Sequence, residues 1–157
     1  MCYNIYGDIM NYQIRKLNIN DAESAIQLCS KEYQLHEAKD YAMEHRNWVP
    51  TSELLLDENI SYGAFIDNRL VGFITMADNF IRLLYVDDDF HGLGIGTSLI
   101  NEVCSTIDLD YISTCSTLYA HDFYKKLGFV DTHGLVNDER GYVYYPMEKN
   151  VRVDVRK

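Results

Sequence analysis

The most constraining stretch of the chain is Val86-Asp87-Asp88-Asp89-Phe90-His91-Gly92-Leu93-Gly94-Ile95-Gly96-Thr97. It leaves an apolar run, Phe80–Val86, that reads as a strand. It then enters Gly94–Thr106, where Leu99, Ile100 and Val103 share one helical face. Three alternate glycines at that junction let the backbone approach a ligand closely and take dihedrals that other residues avoid. The first N–H groups of a helix have no acceptor within it. With the helix dipole they make an anion site that could hold a pyrophosphate without a basic side chain. The three aspartates just upstream supply no positive charge.

Other phosphate and metal loops fit less well. A Walker loop ends Gly-Lys-Ser/Thr, whereas this one ends Gly96-Thr97 with no lysine. The dinucleotide fingerprint G-x-G-x-x-G differs in spacing from the G-x-G-x-G found here. Asp87-Asp88-Asp89 lacks the alternate ligands and distant glutamate of a calcium loop, so no metal is expected. A glycine loop that binds nothing remains the plain structural alternative.

Around this junction the chain alternates strands and helices. Ile14–Leu17 reads as a strand, and Asn20 or Asp21 as the cap of a helix carrying Ala22, Ala25, Ile26, Cys29 and Tyr33 at helical spacing. A more polar helix is expected over Leu35–His45, broken at Trp48-Val49-Pro50. Ser61–Ile66, Leu70–Met76 and Phe80–Val86 form an antiparallel meander turned by Asp67-Asn68 and Asp78-Asn79. Tyr111–Cys115 is a strand, Tyr119–Leu127 a helix capped by Gly128, and Phe129–Thr132 and Tyr142–Glu148 the last strands. The expected fold class is α/β (α+β): a mixed, mainly antiparallel sheet of about six to seven strands flanked by about four helices.

Composition narrows the function classes. A chain of 157 residues, 47% apolar and 24% charged, is one globular domain. Fourteen Lys and Arg against 24 Asp and Glu give a net charge of −10, which argues against a non-specific nucleic-acid binder; it is compatible with cationic partners such as amines, with solubility as the plainer reading. No apolar run reaches the roughly 18 residues of a membrane span, and Met1–Met10 lacks the basic start and apolar core of a signal peptide. Cys2, Cys29, Cys104 and Cys115 contain no C-x-x-C pair, so free thiols and a cytoplasmic location are expected. Met10 is an alternative start, since patterning begins at Tyr12.

A second informative segment is Thr117-Leu118-Tyr119-Ala120-His121-Asp122-Phe123-Tyr124-Lys125-Lys126-Leu127-Gly128-Phe129. With it the chain resembles the GNAT superfamily of N-acetyltransferases. His91-Gly92-Leu93-Gly94-Ile95-Gly96 is similar to that family's acetyl-coenzyme A loop, [QR]-x-x-G-x-[GA], with His for Gln or Arg. Ala120 to Phe129 matches A-x-x-F-Y-x-x-x-G-F throughout, and Tyr145-Pro146-Met147-Glu148-Lys149 resembles a bacterial branch ending in P-M-x-K. The likeness covers Tyr12 to Asn150, so residues 1–11 are expected as an N-terminal extension, 12–150 as the acetyltransferase domain and 151–157 as a tail.

The resemblance implies acetyl-CoA as co-substrate and a primary amine, on a small molecule, peptide or protein, as acceptor. A homodimer is one assembly it allows. Leu93, Gly94, Ile95, Gly96 and Thr97 would present N–H groups to the pyrophosphate. Leu84, Tyr85 and Val86 would bond the acetyl and pantetheine groups through their main chain, where their strand splays from Tyr111–Cys115. Thr117 would face the pantetheine arm, and Gly92, Ala120 and Phe123 complete the coenzyme positions. His91 would either assist the phosphates or pack beside them while the backbone carries the site. Tyr124 would be the general acid: its ordinary pKa of about 10 exceeds a thiol's roughly 8.5, so it stays protonated and can donate to the leaving sulfur.

An alkyl amine has a pKa of roughly 10.4, so about one in 2,500 is neutral at pH 7 and a base or water path must take its proton. Some family members have a glutamate where Phe80 stands. Arg82 would share the face of Phe80 by strand alternation. Asp78, Glu37, Glu44 and His121 remain as candidate bases, beside a water chain. Tyr33, His36, Tyr41, Trp48 and Tyr144 are candidate acceptor walls, each with core or surface packing as its other reading. His36-Glu37-Ala38-Lys39-Asp40 has Asp where a zinc-protease helix needs its second His. Cys115 leaves a covalent route open without a partnered histidine. The rival class is a non-catalytic acyl-CoA-binding or regulatory module.

Overall fold

Asp67 and Asn68 both take positive φ, 49° and 64°, and so close a two-residue turn between β4 (Ile60–Ile66) and β5 (Arg69–Ala77). Asp78, at φ 53°, turns β5 into β6 (Phe80–Val86). These turns build the expected meander in a computed structural model that describes residues 2–3, 9–56 and 60–152. The remaining strands are β1 (Cys2–Tyr3), β2 (Ile9–Met10), β3 (Gln13–Lys16), β7 (Tyr111–Ser116), β8 (Val130–Asp131), β9 (Val136–Asn137) and β10 (Val143–Asn150). The helices are α1 (Ala22–His36), α2 (Ser52–Leu56), α3 (Ile95–Thr106) and α4 (His121–Lys126).

The main sheet has eight strands in the order β3-β4-β5-β6-β7-β10-β8, with β9 paired to β10, and β1 and β2 form a separate two-stranded ladder. All of its pairings are antiparallel except β6 with β7. The mixed, mainly antiparallel architecture is therefore as expected, with the two-residue β9 as the added strand. No described helix is long and apolar enough to cross a membrane.

Two apolar layers cover the sheet. On one face Leu99 and Val103 of α3 and Tyr124 of α4 pack on Val71, Ile74, Met76 and Ile112. On the other, Ala25, Leu28 and Cys29 of α1 and Leu55 of α2 pack on Phe73, Leu83 and Tyr85. Successive strand residues point to opposite faces, so a strand covered on both sides reads as a nearly continuous apolar run, as Leu70–Met76 does with Thr75 its one polar side chain.

Three local expectations change. Asp21 is the N-cap of α1, one of the two expected residues, but its side chain accepts nothing from the first turn; Asn18 caps a 3-10 turn, Ile19–Asp21, just ahead of it, its side chain accepting from Asn20 N–H at 2.9 Å while Asp21 accepts from Asn18 N–H at 2.8 Å. A continuous Leu35–His45 helix does not form. α1 stops at His36 and two 3-10 turns follow, Ala38–Asp40 and Met43–His45, because tertiary partners hold the segment back on itself. Tyr33 donates its hydroxyl to His45 O at 2.6 Å, and the His45 ring stacks on Tyr142 at 4.0 Å. α2 was not legible in advance; it is a single turn anchored by the fully buried Leu55.

The third change places the site. Met76 pairs with Ile81, but Thr75 pairs with Leu83, which leaves Arg82 as an extra residue in a β-bulge. Strand alternation is interrupted there: Ile81 and Leu84 both serve the α3 face, and Leu83 and Tyr85 the α1 face. The simple alternation that linked Arg82 to Phe80 therefore does not apply. β6 pairs with β7 only at Phe80↔Ser113 and Ile81↔Thr114, whereas β7 stays paired to β10 from Tyr111 to Ser116. Beyond Ile81 the two strands part and leave a slot.

Candidate functional site

A cavity of about 510 Å³ opens beside the slot along β6 and runs to the start of α3. It is lined by Leu84, Tyr85 and Val86 on β6, by His91, Gly92 and Gly94 to Thr97, and by Tyr119, Ala120, Phe123 and Tyr124. Glu32, His36 and Glu37 close it from the end of α1. A smaller cavity of about 60 Å³ adjoins it between the parted strands; Glu37, Leu84, Tyr85, Ala120 and Tyr124 line both.

At the cofactor end, Gly92 and Gly94 have φ of 78° and 79°. A Cβ at either would meet open space, so glycine is required here by the dihedral and by nothing else. Gly94 is the N-cap of α3, and the helical ladder begins with Ser98 N–H on Gly94 O at 2.9 Å. The N–H groups of Ile95, Gly96 and Thr97 thus have no intrahelical acceptor and lie at the cavity wall. Gly96 serves a different purpose: a Cβ there would come within 3.0 Å of the Phe123 ring, so its absence lets α4 close on α3.

Tyr124 and Glu37 reach the slot from opposite faces of the sheet. Tyr124 lies in the α3-side core, and burial raises its phenol above the ordinary value, against a hydrogen bond from Thr114. It is therefore a protonated donor at neutral pH. Glu37 follows α1 and is 9% exposed; it accepts the Tyr85 hydroxyl at 3.1 Å. Burial lifts its carboxyl to about 7, although the Tyr85 hydrogen bond and the nearby His36 pull the other way. A parted strand pair, helix N–H groups at one end and an acid–base couple across the middle can bind a phosphate-bearing thioester and exchange protons at its carbonyl.

A sequence model described as an acetyltransferase (GNAT) domain matches residues 29–151. The chain belongs to the GNAT acetyltransferase family. It is 30% identical over 151 residues to a spermidine N(1)-acetyltransferase of Thermoplasma acidophilum, covering 80% of this chain and 93% of that protein. An uncharacterised N-acetyltransferase of Methanocaldococcus jannaschii is 26% identical over 147 residues, covering 80% of this chain; the match spans 63% of that relative's length. The fold is similar to that of the PaiA N-acetyltransferase from Thermoplasma acidophilum in complex with coenzyme A. That likeness has a TM-score of 0.73 and 24% identity, and covers 90% of this chain and 99% of the other.

In this GNAT chain the sequence-derived coenzyme positions gather on one cavity, apart from two. Leu93 is not among the lining residues and packs against the α3-side core. Thr117 lines the smaller cavity, and its hydroxyl accepts Ala120 N–H at 3.1 Å just ahead of α4. The His91 ring is engaged by the strand: its Nε2–H donates to Val86 O at 2.7 Å, with Asp88 at 3.6 Å. That bond already occupies a carbonyl of the strand expected to meet the pantetheine arm.

The aspartate run divides by role. Asp87 is 3% exposed and takes Lys31 at 3.0 Å and Arg69 at 3.2 Å. Burial alone would raise its carboxyl, but the hydrogen bonds from Asp89 N–H and Lys31 outweigh that and hold it below the usual range. Asp88 accepts His36 Nε2–H at 2.8 Å and gives its own N–H to Glu32 at 3.1 Å. Glu32, His36 and Asp88 have ligand atoms within 4.8 Å of one another, and these hydrogen bonds engage them among themselves.

Of the candidate bases, Glu37 alone lines either cavity. Asp78 and Glu44 are exposed, and His121 pairs with Asp131 at 2.8 Å while stacking on Tyr145. Of the proposed aromatic walls, His36 alone lines either of these two cavities, stacked 4.0 Å from Tyr119. Tyr33 instead packs with Tyr41 and Trp48 into an aromatic cluster. The reading of the sequence missed Glu32, Phe90 and Tyr119 as lining residues. The four-residue step from Glu32 to His36 on one helix face was the available signal for the first.

Proposed function

We propose that this chain transfers the acetyl group of acetyl-CoA directly to the primary amine of a small cationic acceptor, without an acyl-enzyme. The observation that carries the reading is the slot between β6 and β7, with helix N–H groups at one end and Tyr124 beside its middle. The pyrophosphate would take the N–H groups of Ile95 to Thr97, and the acetyl and pantetheine groups the main chain of Leu84, Tyr85 and Val86. Thr117, Ala120 and Phe123 would flank the arm, and His91 would fix Val86 beside Gly92. Tyr124 would protonate the departing thiolate. Acidic lining by Glu32 and Glu37, the net charge of −10 and the likeness to a spermidine acetyltransferase support a cationic amine as acceptor.

The test is thiol release from acetyl-CoA with spermidine, 1,4-diaminobutane and a peptide bearing a free amino terminus, beside the Tyr124→Phe variant. Turnover with a small amine is expected, reduced about 100-fold or more in the variant with acetyl-CoA affinity retained. At 100 times its dissociation constant, acetyl-CoA should add about 2.7 kcal/mol and raise the thermal midpoint by a few degrees. A midpoint rise with no thiol release for any amine would replace this reading with the acyl-CoA-binding module. No rise at millimolar acetyl-CoA would remove both.

A further inference from the structure

We infer that Glu37 is the base that takes the proton from the attacking ammonium, an assignment that rests on the direct-transfer reading above. Glu37 is the carboxylate that lines both the coenzyme cavity and the smaller space between the parted strands, and it shares both linings with Tyr124. It arrives from the α1 face and Tyr124 from the α3 face, so the two groups flank the slot where a thioester carbonyl would lie. One face is thus free for the nucleophile and the other for the leaving group.

The neighbours of Glu37 fit this role better than a purely structural one. From β6, the Tyr85 hydroxyl donates to one oxygen, Oε2, and orients the carboxylate. From α1, His36 favours the charged form and Glu32 opposes it, as does Asp40 in the turn that follows. Tyr33 and Cys29 lie on the same side, and burial pushes both up to about 12, so they stay neutral at neutral pH. Glu32 also lines the main cavity, but its Oε1 is held by Asp88 N–H, with Lys31 3.8 Å away. Burial brings Glu37 to about 7, where a base is both ionised in good part and strong enough to accept a proton.

The protons balance. The Glu37 carboxylate takes one proton from the ammonium and leaves a neutral amine. The nitrogen lone pair attacks the thioester carbonyl carbon, forming the C–N bond and an alkoxide. Collapse of that alkoxide breaks the C–S bond, and Tyr124 gives its proton to the sulfur. The amide nitrogen sheds its extra proton to the tyrosinate, and Glu37 releases its proton to solvent, so one proton leaves per turnover.

The experiment compares Glu37→Gln and Glu37→Asp with the wild type, using 1,4-diaminobutane and trifluoroethylamine, an amine that is largely neutral at neutral pH. With 1,4-diaminobutane, Glu37→Gln should lower kcat/KM about 100-fold and abolish its acid limb near neutrality, with Glu37→Asp recovering part of the rate. With trifluoroethylamine the loss should be under about tenfold, because no ammonium has to be deprotonated. The acetyl-CoA dissociation constant should stay unchanged. Equal losses for the two amines, or a retained acid limb, would reduce Glu37 to a structural role. A wild type that binds acetyl-CoA and transfers to neither amine overturns the direct-transfer reading first, and this assignment with it.

Discussion

The two ends of the slot are built by different means. The proposed coenzyme end is made of backbone: two left-handed glycines, the opening N–H groups of α3, and a third glycine that lets Phe123 approach. The proposed acceptor end is made of side chains from distant parts of the chain, with His36 and Glu37 at the end of α1, Asp88 past β6 and Tyr119 before α4. A backbone site tolerates wide variation in side-chain identity around a few glycines, and so leaves a short contiguous signature. A side-chain site depends on tertiary packing and leaves none.

The comparison can be sharpened first at Glu37. Its pKa rises from about 4.5 unfolded to about 7 folded, so its contribution to stability is full below 4.5 and is lost as pH climbs through 7. Across that window the wild type should lose on the order of 3 kcal/mol relative to Glu37→Gln, read as the difference between their urea midpoints at pH 4.5 and pH 8. Acetyl-CoA binding should be the same in both. A shared pH dependence would mean that this end of the slot is not governed by one buried carboxyl.

A smaller effect is expected at the coenzyme end. Gly94→Ala puts a Cβ into open space at φ 79°, so strain of about 1–2 kcal/mol is its main cost. The acetyl-CoA dissociation constant should rise while the KM for the amine stays put, as measured by calorimetry and steady-state kinetics. A change in amine KM alone would break the division between the ends. The smallest change is a control outside both: Asn18→Ala removes the cap of the 3-10 turn ahead of α1 and should cost about 1 kcal/mol in denaturant unfolding, with neither ligand constant affected.

The same division explains what the sequence discloses. The meander turns, the alternate glycines and the A-x-x-F-Y-x-x-x-G-F run are local, and each states its own geometry through dihedral or steric demands. The α1–α2 region is where expectation and structure part. A polar stretch from Leu35 to His45 has helical propensity, yet Tyr33, Tyr142 and Arg140 hold it in short turns from far along the chain. Tyr33, Tyr41 and Trp48 were plausible acceptor walls by type, but they serve as a packed cluster. Glu37 was one of four candidate bases in the sequence, and only the arrangement of α1 against β6 distinguishes it.

Arg82 has a consequence out of proportion to its single position. Because β6 carries one residue more than β5 over the same span, the ladder must absorb a miscount, and it does so one step past the last β6–β7 pairs. Bulges bend a strand and tighten its twist. β6 therefore swings off its parallel neighbour while staying paired with β5. The mouth of the molecule is in that sense arithmetic: one surplus residue, placed where two strands would otherwise zip shut, converts a continuous sheet into one that can be threaded.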